Sequence, residues 1–169
     1  MPLLIQRIPL KKKLHNMIKC NIVNLSGHRL PYYASSGAAG MDLSAHLENP
    51  ILLQPLQRAI IPTGLFIELP IGYEAQIRSR SGLAANHGIV VLNSPGTIDS
   101  DYRGEIKIIL INLSQEAFKI ENGFRIAQLV VHPYVHVEWN DVAALSDTPR
   151  GEHGFGSSGI QDTQPATIE

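Results

Sequence analysis

Short apolar runs separated by turn residues set the rhythm of the chain. IPTGLFIEL (61–69), YEAQIRS (73–79), GIVVLN (88–93), EIKIILINL (105–113), RIAQLVV (125–131) and YVHVEW (134–139) are brief and rich in β-branched residues. Runs of this length and content suit strands rather than helices. Gly, Pro, Asn and Asp fall between them, in ENP before Ile51, LP at 69–70, NSPG at 93–96 and ENG at 121–123. Those residue types stand where a reversing chain needs them. Only SGLAANHG (81–88) offers a helix start, with Ser81 as N-cap and Gly88 as stop. The pattern predicts an all-β fold, a jelly-roll or β-clip-like barrel of short strands with one short helix.

The ends of the chain break this rhythm. MPLLIQRIPLKKKLHNMIKC carries Arg7, Lys11, Lys12, Lys13 and Lys19 without an acid, and its apolar part precedes its lysines, the reverse of a secretory signal. Residues 1–16 read as a disordered basic extension, with the folded β-barrel domain spanning 17–145. From Leu145 the apolar runs cease, and residues 146–169 read as a flexible Gly-rich tail that still keeps Arg150 and Phe155.

Composition narrows the class. The 169 residues are 44% hydrophobic with a formal net charge of −1, and no apolar run is long enough to span a bilayer. A single soluble domain is expected, with neither a membrane nor a nucleic-acid partner. Cys20 is the one cysteine, which excludes an internal disulfide and suits a reducing, cytoplasmic setting. It has no signature beside it and reads as a small buried hydrophobe.

Chemistry concentrates in GTIDSDYRGE (96–105), where Asp99, Asp101 and Glu105 stand among two glycines and an arginine. A calcium loop is excluded, because Arg103 stands at the fifth position from Asp99 and Leu110 at the twelfth. A β-hairpin with a polar tip explains the glycines but not Tyr102, nor two neighbouring aspartates. GFGSSG (154–159) matches a dinucleotide fingerprint without its flanking strand and helix; what remains is a backbone that can approach a phosphate. RSRSGLA (78–84) runs arginine and serine into the helix start, a place that favours an anion. Beyond residue 57 the cations are Arg58, Arg78, Arg80, Arg103, Arg125 and Arg150 against Lys107 and Lys119, and the arginine fork matches phosphate oxygens in pairs. His132 and His136 lie on a run with strand alternation, which separates them too far for a zinc pair.

Taken together, AAGMDLSA (38–45), RSRSGLA (78–84), GTIDSDYRGE (96–105), RIAQLVV (125–131) and RGEHGFGSSG (150–159) resemble the five motifs of the trimeric dUTPases in order and spacing. The resemblance implies a jelly-roll homotrimer with active sites between subunits. It would hydrolyse dUTP to dUMP and pyrophosphate with magnesium (Mg2+), limiting uracil in DNA and supplying dUMP. By similarity, Asp99 deprotonates the attacking water and meets the sugar 3′-hydroxyl, and Gln128 is the second residue that holds that water. Tyr102 lies under the deoxyribose and rejects a 2′-hydroxyl. Asn93 and the backbone around Gly96, Thr97 and Ile98 read the polar edge of uracil, in a hairpin. Arg80, Ser81 and Gly82 bind phosphates, with Lys107 near the substrate, and Asp42 meets the hydrated metal. Arg150, Phe155, Gly156 and Ser157 resemble a closing tail, Phe155 stacking on uracil. Asp101 is left as structural support, paired with an arginine. The dCTP deaminases share the fold, and a non-catalytic nucleotide-binding β module is the other alternative; the motif strings fit the hydrolase branch better.

Overall fold

A computed structural model describes residues 17–155. The chain forms eleven strands and one helix among those residues: β1 Asn21–Asn24, β2 Met41–Ser44, β3 Ile51–Leu53, β4 Arg58–Pro62, β5 Leu65–Glu68, β6 Tyr73–Arg78, α1 Ser81–His87, β7 Ile89–Val91, β8 Gly96–Ile98, β9 Lys107–Asn112, β10 Phe118–Ile120 and β11 Arg125–Pro133. The strands build four antiparallel sheets ordered β2-β11-β6-β8, β4-β9-β7, β1-β5 and β3-β10. Sheet neighbours are mostly not chain neighbours, and the architecture is an all-β jelly roll. One unit runs through Val135, and the described residues from His136 to Phe155 belong to a second.

Alternation of side chains across each strand makes the core. In β9 Ile108 and Leu110 point inward while Lys107 stays exposed, and in β6 Ala75 and Ile77 point inward while Glu74, Gln76 and Arg78 face outward. Leu43, Leu53, Ile61 and Ile120 close the same core at 0% exposure. The outward side chains of β6 form their own ladder. Gln76 donates to Glu74 (2.8 Å), and Arg78 Nη2 reaches both Gln76 Oε1 (2.7 Å) and His132 Nε2 (2.9 Å).

Several sequence expectations change here. The run at 61–69 is two strands, split by Thr63 and Gly64: Thr63 Oγ1 donates to Ile106 O (2.6 Å) and accepts from Leu65 N (3.2 Å), while Gly64 takes φ +67°, where a side chain would be strained. The helix spans the expected place, but Arg80 is its N-cap, without a side-chain cap bond, and Ser81 is its first residue; Gly88 ends it at φ 63°. The segment 134–139 alternates like a strand, yet the ladder ends at Pro133, which has no N–H to carry it on. Cys20 is exposed rather than buried. GTIDSDYRGE is not a hairpin, because β8 pairs with β6 while β9 pairs with β4 and β7, so the stretch crosses from one sheet to the other.

Asn112 occupies the inward phase of β9 at 0% exposure. Its Nδ2 donates to Leu53 O (2.9 Å) and Glu116 O (2.7 Å), and its Oδ1 accepts from Ser114 N (2.9 Å), which ties β3 and the β9–β10 turn to one amide. Burying an amide is tolerable only with such partners. Asn112→Ala, leaving these groups unmatched, is expected to cost about 2–4 kcal/mol, measured by urea unfolding monitored by circular dichroism.

Candidate active site

The sequence-predicted site residues of the first unit fall into two groups. The first lines a cavity of about 230 Å³ walled by Asn93, Gly96, Thr97, Ile98, Asp99, Tyr102 and Lys107, together with Ile77 and Glu105. That is below the roughly 300–1,000 Å³ typical of drug-sized ligands, so it suits a nucleoside-sized fragment. Backbone pairing sets its floor: Gly96 lies opposite Ile77 and Ile98 opposite Ala75. A Cβ on Gly96 would sit 3.0 Å from Asn93 Nδ2, so the glycine lets that carboxamide close over the strand. The chain before it holds a cis Ser94–Pro95 bond.

Past β8 the chain turns tightly, with Tyr102 N donating to Asp99 O (3.2 Å). The Tyr102 hydroxyl donates to Glu105 O (3.0 Å), and its ring lies so close to Gly104 that a Cβ there would overlap it. Glu105 Oε1 accepts from Gly64 N (2.8 Å) and its other oxygen lies 3.6 Å from Lys107 Nζ. The buried Thr63–Gly64 turn therefore holds Glu105, and Glu105 holds Lys107. A carboxylate, an ammonium, a phenol and strand backbone thus face one small space, which suits a flat polar ring joined to a sugar and an anion.

The second group lies on the β2-β11-β6 sheet, where Asp42, Gln128 and Arg78 are cross-strand neighbours. A register shift between Arg125 and Ala127 lets Arg125 Nη1 reach Asp42 Oδ2 (3.1 Å), while Arg80 Nε donates to Asp42 Oδ1 (3.0 Å) and Arg80 Nη1 to Arg125 O (2.8 Å). Gln128 Nε2 donates to Ser79 O (2.9 Å), and a Cβ on Gly40 would come within 2.6 Å of Gln128 Oε1. Ser81 and Gly82 open α1 beside this cluster, and a Cβ on Gly82 would meet no protein atom within 4 Å.

Arg150 and Phe155 belong to the second unit. There Arg150 Nε donates to His153 O (3.0 Å), and Phe155 is fully exposed at φ 47°. Gly156 and Ser157 lie outside the described residues. Among the described residues, no three His, Cys, Asp or Glu side chains gather to cage a metal. Asp42 is the carboxylate of the second group, with Arg80 engaging one of its oxygens and Arg125 the other and further acceptor directions left open.

Three contributors were not singled out for roles in the sequence. Glu105 stood inside the quoted carboxylate stretch, Arg125 inside the arginine inventory and Gly40 inside AAGMDLSA, but only folding shows whom they touch. No ion pair joins Asp101 to an arginine among the described residues; the neighbouring Arg103 reaches across to Glu68 on β5 (3.0 Å).

The dUTPase family model matches residues 27–159. The chain belongs to the dUTPase family. It is 62% identical over 138 residues to the deoxyuridine 5'-triphosphate nucleotidohydrolase of Cytophaga hutchinsonii, covering 82% of this chain and 90% of the relative. It is 56% identical over 132 residues to the protein of the same name from Orientia tsutsugamushi, covering 78% and 89%. Among solved structures, a mutant dUTPase of Staphylococcus bacteriophage 80alpha with dUpNHpp superposes with a TM-score of 0.77 at 28% identity, covering 85% of this chain and all of that one. Both residue groups fall inside the dUTPase match.

On β5, a hydrogen bond from Asn21 and the charge of Arg103 hold the Glu68 carboxyl below its ordinary range. A carboxyl lowered on folding contributes stability that is complete above its unfolded pKa and lost as the pH falls through the folded one. The melting temperature of the wild type should therefore exceed that of Glu68→Gln most near neutral pH, and the gap should close on acidification. Differential scanning fluorimetry across that range checks it; a gap independent of pH would assign the ion pair no role in folding.

Proposed function

We infer that the chain hydrolyses dUTP to dUMP and pyrophosphate. The observation that carries this is the small cavity of Asn93, Asp99, Tyr102 and β8 backbone, in a chain whose curated relatives carry the name of that activity. Backbone groups of Gly96, Thr97 and Ile98, with Asn93, read the edge of uracil; Tyr102 lies against the deoxyribose; Asp99 meets the 3′-hydroxyl and serves as general base.

Asp99 takes a proton from water, whose oxygen bonds to the α-phosphorus, and the bond from that phosphorus to the bridging oxygen breaks to release pyrophosphate. Gln128 fixes the water. Arg80, Ser81 and Gly82 hold the phosphates as an electrostatic clamp, with Lys107 adding charge from the cavity side. Bound magnesium would supply further positive charge to the phosphate oxygens, with Asp42 holding its hydration shell. Arg150, Phe155, Gly156 and Ser157 close over the nucleotide, with Arg150 on the phosphates and Phe155 stacked on uracil.

The working form is a homotrimer whose sites are shared, and the enzyme is cytoplasmic. Support for sharing comes from the separation in the fold: Asn93, Asp99, Tyr102 and Lys107 line the β8 cavity, while Asp42, Arg80 and Gln128 gather at the β2-β11-β6 sheet and the start of α1. No helix among the described residues is long and apolar enough to cross a membrane.

Asp99→Asn should bind dUTP and lose about 10²–10⁴-fold in turnover, the usual contribution of a general base. Pyrophosphate release from dUTP, dCTP and UTP, mutant beside wild type, checks this; equal rates remove Asp99 from the chemistry, and ammonia from dCTP would favour a deaminase. For shared sites, inactive Asp99→Asn and inactive Arg80→Ala should regain activity when unfolded together and refolded as a mixture, because some sites then draw both native residues from different chains.

A further inference from the structure

Arg103 does not line the cavity, yet it grips from behind the turn that carries Tyr102. Its Nη1 donates to Ser100 O (2.8 Å) and Tyr102 O (3.0 Å), and its Nη2 donates to Glu68 Oε1 (3.0 Å). Glu68 ends β5, and its Oε2 accepts from Asn21 Nδ2 (2.8 Å), its cross-strand neighbour on β1. One planar guanidinium thereby joins three acceptors and ties the turn to a strand pair, a task that lysine, a point charge on a flexible stem, does not reproduce.

Tyr102 is therefore fixed at three places. Arg103 holds its carbonyl, Glu105 O holds its hydroxyl, and the Cα of Gly104 leaves no space between ring and backbone. Asp99 directly follows β8, whose ladder to β6 does not involve Arg103, and it meets the turn through its own carbonyl, which accepts from Tyr102 N (3.2 Å). The ring and the carboxylate are thus held by different groups, although only two residues stand between them.

We propose that Arg103, anchored on Glu68, is a positioning residue that sets the height of the Tyr102 ring over Gly104 and thereby the discrimination between deoxyribose and ribose. The proposal rests on the dUTP reading of the cavity. Excluding a hydroxyl depends on a wall that does not yield, and a pocket that merely tolerates an added hydroxyl discriminates weakly. A ring released from its carbonyl clamp tilts toward the exposed side, where Tyr102 is already 44% accessible, and opens room for the extra oxygen.

The test compares kcat and KM for dUTP and UTP, with magnesium, in full-length wild type, Arg103→Ala, Arg103→Lys and Glu68→Gln, with thermal unfolding of each. Arg103→Ala should lower the dUTP-to-UTP ratio of kcat/KM by about tenfold, through a lower KM for UTP and a higher one for dUTP, while kcat for dUTP stays within about threefold. Arg103→Lys should resemble Arg103→Ala in selectivity even where it restores the melting temperature, and Glu68→Gln should fall between. An unchanged ratio in Arg103→Ala and Glu68→Gln overturns the proposal, as does a loss of kcat common to both nucleotides or selectivity that simply follows melting temperature. A wild type that releases no pyrophosphate from dUTP defeats the functional reading itself; an active, selective wild type beside an unaltered Arg103→Ala defeats only the role of Arg103.

Discussion

The register of β11 between β2 and β6 is the constraint on which the site depends. Side chains alternate along a strand, so a slip of one residue would turn Gln128 into the core and present Ala127 in its place. The irregularity between Arg125 and Ala127 performs a related task. Ile126 and Ala127 are both buried in succession, which places Arg125 and Gln128 on the outer side together with Asp42. Burial of Ile126, Leu129 and Val130 fixes this register with apolar surface, and the polar row follows from it without further specification.

The arginines show how the fold divides one residue type among several duties. Arg80 and Arg125 converge on Asp42, Arg103 spans Glu68 and two carbonyls, Arg78 joins the ladder with Gln76 and His132, and Arg150 folds back on His153. A tally of arginines as phosphate ligands therefore overstates the clamp, since most of these guanidiniums are structural ties. The ties have a compensating effect on Arg80. A side chain already held in place loses less rotamer freedom when an anion arrives, so more of the contact survives as affinity.

Strands that coincide with one apolar run were legible in the sequence, as 105–113 and 125–131 demonstrate. The break at Thr63–Gly64 was not, because its polar hydroxyl is satisfied by Ile106, some forty residues later in the chain. β1, β2, β3, β8 and β10 have only three or four residues each, too few for a period to emerge. The converse error is instructive: 134–139 has the right alternation, but alternation becomes a strand only where a ladder exists to receive it. The candidate site residues stood out as motifs, whereas their grouping did not. Asp42 and Gln128 are brought side by side by antiparallel crossovers between distant segments, and the carboxylate stretch had the look of a hairpin because nothing local reveals that β8 and β9 belong to different sheets.

The glycines of the site keep two different kinds of record. At positions 40, 96 and 104 a Cβ would meet the protein's own side chains, those of Gln128, Asn93 and Tyr102 in turn. At position 82 nothing within 4 Å excludes one, so any limit on size there is imposed by a visitor to the fold and not by the fold. Among descendants of this chain, drift at position 82 with 40, 96 and 104 intact would then mark a lineage that kept the architecture and gave up its ligand.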